Sequence, residues 1–295
     1  MPKGVIRKYP GRIYPGGLKV LYGGTRTGIR LDRPWQLPIR TDPVKCPFCR
    51  GEEKVLKTFD NGWLLLENRF TPHSYHKMII PPSCWSENKL RILGGVKEIE
   101  KALFDVCSLI SDVNAEMWVQ AYVGALAGQN ISHLHYHVLA PERFDSTDSS
   151  AKQSEALLNV QKNEQALIDL LGNSDKIFLN DYGIKVVIES IFRAGQCFVV
   201  STGGGGLMTQ PPDVLAWAFS KTVQAYANAF RSKQGLAPDF QIFFKFLGTS
   251  FVYGSYLPIL NHQGTTETVG AILSGGPFVH PWTPEETLEA LQKVS

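Results

Sequence analysis

His133-Leu134-His135-Tyr136-His137-Val138-Leu139 sets three of the chain's seven histidines at alternate positions, with apolar residues between them. Such alternation predicts a β-strand over 133–140, in which residues two apart share a face and lie roughly 6.5–7 Å apart. One face would carry the imidazoles, the other Leu134, Tyr136 and Val138. An imidazole titrates near neutrality, so it can act as nucleophile, general acid or base, or metal ligand. The preceding Gly128-Gln129-Asn130-Ile131-Ser132 is polar and opens on glycine, a loop able to turn backbone N–H groups towards an anion. A lone histidine is usually structural. Three within five residues point to chemistry.

A catalytic zinc held by the His-x-His pairs would explain the stripe, and so would imidazoles free to act on a substrate. Cys46-Pro47-Phe48-Cys49 bears on the choice. Its C-x-x-C spacing is one at which two thiolates grip a tetrahedral ion. Cys84 and His133 could complete a Cys3His set, closed as structural zinc sites are, leaving His135 and His137 for chemistry. The alternatives for Cys46 and Cys49 are ordinary small residues or a redox pair. The chain has no second C-x-x-C and no βαβ pattern around this one.

The run Gly-Gln-Asn-Ile-Ser-His-Leu-His-Tyr-His-Val-Leu resembles the signature of the histidine triad superfamily. Asn68-Arg69-Phe70 and His76 through Cys84 resemble that superfamily's nucleotide-binding strand pair, with Cys84 where zinc-binding members usually have histidine. Arg33-Pro34-Trp35-Gln36, the C-x-x-C turn and Trp118-Val119-Gln120 follow the order seen in galactose-1-phosphate uridylyltransferase and related nucleotidyltransferases. Together these motifs span about the first half of the chain.

The resemblance implies covalent nucleotidyl transfer, in which one hard displacement is split into two easier ones. His135, the middle histidine, would be the nucleophile, and His137 would contact the transferring phosphate or help the leaving group. His133 would join Cys46, Cys49 and Cys84 on a structural zinc. Asn68, His76, Gln129, Asn130 and Ser132 would face the substrate, with Asn130 and the loop's backbone N–H groups on the non-bridging oxygens. Two departures bear on specificity. Uridylyltransferases have glutamine at the third triad position, where this chain has His137, as in hydrolases and some phosphorylases. Arg69 stands where the transferase pattern places an acidic residue on the ribose. The acceptor (water, phosphate or a sugar phosphate) and the base therefore stay open. A zinc-stabilised nucleotide-binding protein without turnover is the reading from another class, and an intact triad argues against it.

The elements needed to position these groups are legible in outline. Leu18–Tyr22, 63–67, 76–81 and Trp118–Val123 read as strands, and apolar spacing over 87–116 predicts a helix. Asp145–Ser150 is a linker, followed by a predicted helix over 151–171. Lys185–Ser190, Gln196–Ser201, an amphipathic helix over 213–231, Phe240–Leu247 and Phe251–Ile259 then copy the strand-strand-helix-strand-strand order of the first half. The expected fold is α+β, a histidine-triad-like antiparallel sheet with packed helices, duplicated with a degenerate second copy. The expected division is an arm over 1–45, a catalytic domain over 46–145 and a second domain over 146–295. That second domain has no histidine in Ser250–Tyr256. Gly203–Gly206 lacks the Lys-Ser/Thr of a P-loop and reads as a connection.

With 295 residues, 43% hydrophobic and 19% charged, the chain can bury a sizeable core and is not of disordered composition. A net charge of +3 admits a phosphorylated substrate without implying a nucleic-acid groove. Five cysteines suit a reducing compartment and a metal better than a disulfide framework. With no long apolar run and no signal-like start, a cytoplasmic enzyme is expected, with no membrane partner. Dimerisation is common in both superfamily branches, which leaves a homodimer open.

Overall fold

Along Glu116–Val123 every second side chain is buried: Met117, Val119, Ala121 and Val123 point into a core, while Glu116, Trp118, Gln120 and Tyr122 lie half-buried on the other side. This is the period-two pattern of a sheet whose two faces meet different surroundings. The computed structural model describes residues 11–13, 19–21, 46–68, 75–82, 96–111, 116–124, 127–129, 131, 133–140, 166–189, 195–202, 212–230, 238–247, 250–260 and 283–294. Two short strands, β1 (Gly11–Ile13) and β2 (Lys19–Leu21), pair with each other. The remaining strands are β3 (Val55–Thr58), β4 (Leu64–Glu67), β5 (His76–Ile80), β6 (Glu116–Val123), β7 (Tyr136–Leu139), β8 (Ile177–Asp181), β9 (Ile184–Ile188), β10 (Cys197–Ser201), β11 (Phe240–Leu247) and β12 (Ser250–Pro258). They form one ten-stranded antiparallel sheet in the order β3-β4-β5-β7-β6-β11-β12-β10-β9-β8.

Helices α1 (Val96–Ser111) and α2 (Pro212–Ala229) pack against each other and cover one face. Ile99, Leu103 and Val106 of α1 and Leu215, Phe219 and Val223 of α2 share a core with Val119, Tyr136, Val138, Ile242 and Phe244. Helix α3 (Pro284–Gln292) starts at a capping box, in which the Thr283 hydroxyl accepts from the Glu286 N–H and the Glu286 carboxylate from the Thr283 N–H. It seats Leu291 in that core and borders β8 and β9. The opposite face is covered at its ends. The turn carrying Cys46 and Phe48 lies over Leu66, Met78 and Ile80, and a helical stretch over 166–173 places Leu171 over Val187, Phe198 and Val200.

The sheet divides at the β6–β11 seam, paired from Phe240↔Val123 to Leu247↔Glu116 and bridged by Lys245 Nζ to Glu116 Oε1 at 2.5 Å. From outer edge to seam, one half runs β3-β4-β5-β7-β6 and the other β8-β9-β10-β12-β11, with α1 before β6 and α2 before β11. The local pairing matches too. Met78 lies opposite His137 and Phe198 opposite Ser255. Two residues earlier in each case, His76 Nε2 lies 2.8 Å from His137 Nδ1, and Gln196 Nε2 donates to Ser255 Oγ at 2.9 Å. Where one half places two imidazoles, the other has a carboxamide and a hydroxyl.

The structure corrects three of the expected elements. Within the ten-stranded sheet, three described strands, not two, precede each of α1 and α2, because β3 and β8 form the outer edges. Glu116 belongs to β6 and not to the preceding helix. The histidine strand is shorter than 133–140: it runs from Tyr136 to Leu139, with His133 and His135 ahead of it. The His133 carbonyl is taken by the His135 side chain at 2.8 Å, and the His133 ring turns away to the cysteines. That geometry replaces a ladder. Residues 87–95 and 151–165, Gly203–Gly206 and the arm beyond Leu21 up to residue 45 lie outside the described residues.

One position tests the helix–sheet packing directly. A Cβ on Gly254 would stand 2.6 Å from Phe219 Cζ and 3.2 Å from the Phe243 carbonyl oxygen. Gly254→Ala is expected to lower unfolding stability by about 1–3 kcal/mol, the usual cost of overpacking, read as a shift of the urea midpoint at constant slope.

Candidate active site and metal centre

The Cys46 turn and His133 meet although 87 residues separate them. His133 Nδ1 lies 3.5 Å from Cys46 Sγ and 3.4 Å from Cys49 Sγ, and all three ligand atoms fall within 4.8 Å of one another. Two ligands sharing a tetrahedral zinc at ordinary bond lengths would stand about 3.6 Å apart for a sulfur–nitrogen pair. His133 Nε2 is 3.0 Å from the Pro81 carbonyl oxygen, which can only accept, so Nε2 carries the proton and Nδ1 presents a lone pair to the sulfurs. A backbone carbonyl that fixes a ligand's tautomer is the usual support of a metal-binding histidine. Burial lowers the His133 pKa, opposed by the Pro81 bond, and favours the neutral ring that a metal needs. The donor set therefore fits a zinc ion. Cys84 lies outside the described residues. The other described cysteines suit no such role: burial pushes the Cys107 thiol up to about 11 and Cys197 up to about 12.

Phe48, inside the C-x-x-C turn, stands edge-on to His133 with ring centroids 5.4 Å apart and lies 5.6 Å from the His135 ring. The turn thus presses on two members of the triad. His135 is buried, and its Nδ1 donates to the His133 carbonyl. In the neutral ring this leaves Nε2 as the lone pair. Burial, the largest cause, lowers the His135 pKa, with the backbone bond to the His133 carbonyl opposing. The His135 and His137 rings lie 4.9 Å apart, nearly perpendicular.

His137 is held from several sides. Its Nδ1 meets His76 Nε2, and the Asn68 amide lies 3.1 Å and 3.3 Å from the two His76 ring nitrogens. Tyr122 packs edge-on at 5.8 Å. The series Asn68–His76–His137–His135 is buried throughout. Gln129 is buried as well, with its side-chain oxygen accepting the Gly124 N–H at 2.8 Å and its side-chain nitrogen donating to the Ile131 carbonyl at 2.9 Å. Both ends of that amide brace the loop. Asn130 and Ser132 lie outside the described residues.

Solved structures match the fold over nearly the whole chain. A GalT-like protein from Arabidopsis thaliana superposes with a TM-score of 0.58 at 15% identity, covering 88% of this chain and 99% of that one. The fold is that of this GalT-like protein. A uridylyltransferase mutant matches this fold with a TM-score of 0.58 at 15% identity, over 96% of this chain and 98% of that one. An ADP-glucose phosphorylase from Arabidopsis thaliana, solved with ADP-glucose bound, matches with a TM-score of 0.56 at 14% identity, over 98% and 99% of the two chains. No protein-family model and no curated protein matches the sequence. Among the described residues, no helix is long and apolar enough to cross a membrane.

Three contributors to this site were not anticipated: Phe48, Tyr122 and the Pro81 carbonyl. Phe48 sits within a motif singled out for its cysteines. Tyr122 is polar-tipped and shares its period-two face of β6 with Glu116 and Gln120, a signal that it faces away from the helices.

Proposed function

We propose that the protein is a nucleotidyltransferase or nucleotide phosphorylase that works through a nucleotidyl-His135 intermediate. The observation that carries this reading is the His135 Nδ1 bond to the His133 carbonyl. It leaves Nε2 with the lone pair, beside His137, while His133 serves the metal cluster. Nε2 attacks the α-phosphorus of a nucleotide sugar or dinucleotide. A P–N bond forms, and the bond from phosphorus to the leaving oxygen breaks, with the electron pair departing on that oxygen. His137, oriented by His76, meets the developing charge or gives the leaving oxygen a proton. An acceptor oxygen then forms a new P–O bond, and the P–N bond breaks to restore the imidazole. Positioning and charge stabilisation carry such displacements. Cys46, Cys49 and His133, with Cys84 proposed as the fourth ligand, would hold a zinc ion that would supply structural clamping.

In this reading residues 46–145 form the catalytic domain and 146–295 the degenerate partner. Asn68 and His76 act through His137, and Asn130 and Ser132 with the loop's N–H groups meet the phosphate. Gln129 shapes that loop. The activities named for the similar structures support the general kind of reaction. A hydrolase, with water as acceptor, is the second reading, favoured by histidine at the third triad position.

Product analysis separates the two. Nucleotide sugars and dinucleotides, with and without inorganic phosphate and hexose 1-phosphates, should turn over only when an acceptor is present. Free monophosphate without acceptor would assign hydrolysis. Nucleotide affinity unchanged in His135→Gln, with no turnover of any candidate by wild type, would leave only a binding protein.

The His76–His137 contact predicts a coupled pair. His137→Ala is expected to slow turnover by about 10²-fold and His76→Ala by somewhat less, within the range for proton-transfer groups. The double variant should be no slower than His137→Ala, a coupling of about 1 kcal/mol or more in a double-mutant cycle. Additive losses would mean that His76 acts independently of His137.

A further inference from the structure

We infer that the second half of the chain is a positioning device for the catalytic loop, acting through Gln241 and Asp239. This rests on the proposed nucleotidyl transfer. The loop leaves the end of β6 at Gly124 and delivers the chain to His133. Gln129 ties it internally: the Gln129 N–H donates to the Gly124 carbonyl at 3.2 Å, in addition to the two bonds made by its side chain. Those bonds close the loop without fixing it relative to the sheet. The fixing bond comes from across the seam, where Gln241 Nε2 donates to the Ala127 carbonyl at 2.9 Å, between residues 114 apart in sequence.

Asp239 supplies the second point of contact. Gly124 has φ +96, and a Cβ there would meet the Asp239 carboxylate at 2.2–2.4 Å. The loop's first residue therefore lies directly on that side chain, as only glycine can. Asp239 is itself buried and anchored, its carbonyl accepting the Ile259 N–H at 2.7 Å just past β12. A third link passes through the sheet: Gln241 lies opposite Tyr122, whose ring packs against His137. Loop and third histidine thus refer to one strand, β11. Beside Gly128, at φ +97, nothing among the described residues stands within 4 Å of where a Cβ would be. The degenerate half, without histidines of its own in β12, sets where the loop's backbone stands relative to His135.

Gln241 is half-buried, so Gln241→Glu, which loses the donor and faces the Ala127 carbonyl with a carboxylate, and Gln241→Met, which loses the donor at similar size, are the variants. Hydrogen exchange followed by mass spectrometry should show faster exchange confined to peptides covering 124–131 in both, with melting temperature near that of wild type. Misplacement of reacting groups costs about ten- to a hundredfold in rate, so nucleotidyl-enzyme formation at saturating nucleotide should fall by that factor, with KM changed by less than about threefold. Packing alone would instead leave Gln241→Met unaffected in both readouts. Loop exchange equal to wild type in Gln241→Met, or a rate within twofold of wild type, overturns the inference, and if Gln241→Glu fails to fold, Gln241→Met decides. Exchange needs no substrate, so a wild type that never labels counts against covalent transfer and leaves the exchange result to judge the clamp.

Discussion

His135→Ala is expected to lose protein-bound nucleotide altogether and to lower turnover by at least about 10⁴-fold, the scale on which nucleophile deletions fall. The expectation follows from tautomer and position together: the Nδ1 bond aims Nε2, and no other described imidazole has the same orientation without a second duty. His133 faces Cys46 and Cys49, and His76 and His137 face each other. The variant should keep its metal and its fold, because the metal cluster does not include His135. Metal analysis and the melting curve therefore accompany the kinetics. Metal lost along with activity in His135→Ala would instead support a catalytic zinc on the histidines.

Cys46→Ser is expected to show the opposite pattern, losing metal and fold first and activity as a consequence. Cys46 is buried and shares a small core with Phe48, Leu66, Met78 and Ile80, and Phe48 touches both His133 and His135. Without the metal, the cluster holds converging donor groups with no ion between them, and the turn loses its tie to the strand. Loss of a structural metal is among the few single changes that cost about 4 kcal/mol or more. For a chain of this length that corresponds to roughly 5–10 °C in melting temperature. Chelation of wild type should give a similar shift, and Phe48→Ala a smaller one with the metal retained. A chelated protein that melts like the untreated one while losing activity would show the ion to be catalytic.

How much of this was legible beforehand depended on whether the signal was local. The histidine run and the C-x-x-C turn announce themselves because chemistry needs those residue types at those spacings. Helices α1 and α2 were found because each buries one stripe, and β6 and β11 because one face of each meets the helices. β3 was missed because its four side chains are all exposed, which erases the alternation a strand otherwise shows. β8, at the opposite edge, shows no alternation either, with three half-buried residues followed by two exposed ones. The histidine strand was drawn too long because alternation alone cannot tell a ladder from a chain whose carbonyl is taken by a side chain, as the His133 carbonyl is by His135. Outside the metal cluster, contacts between distant residues left no trace. Nothing in the sequence joins Gln241 to Ala127, or Lys245 to Glu116 across the seam.

The same locality explains the second half. Its strand order repeats that of the first half, but Gln196 and Ser255 occupy the positions of His76 and His137. A search for reactive residue types passes over such a pair, although its geometry is kept. What the half contributes is placement, and placement is visible only once the strands are paired.

The central claim is that Nε2 of His135 bonds to phosphorus while the metal is held elsewhere. Peptide mapping of wild-type protein quenched during turnover of a nucleotide sugar or dinucleotide tests it most directly. The expected result is one nucleoside monophosphate on the peptide containing His135, stable to base, labile to acid and discharged by the acceptor. A label on any other residue, or turnover proceeding with no labelled peptide at all, would contradict it.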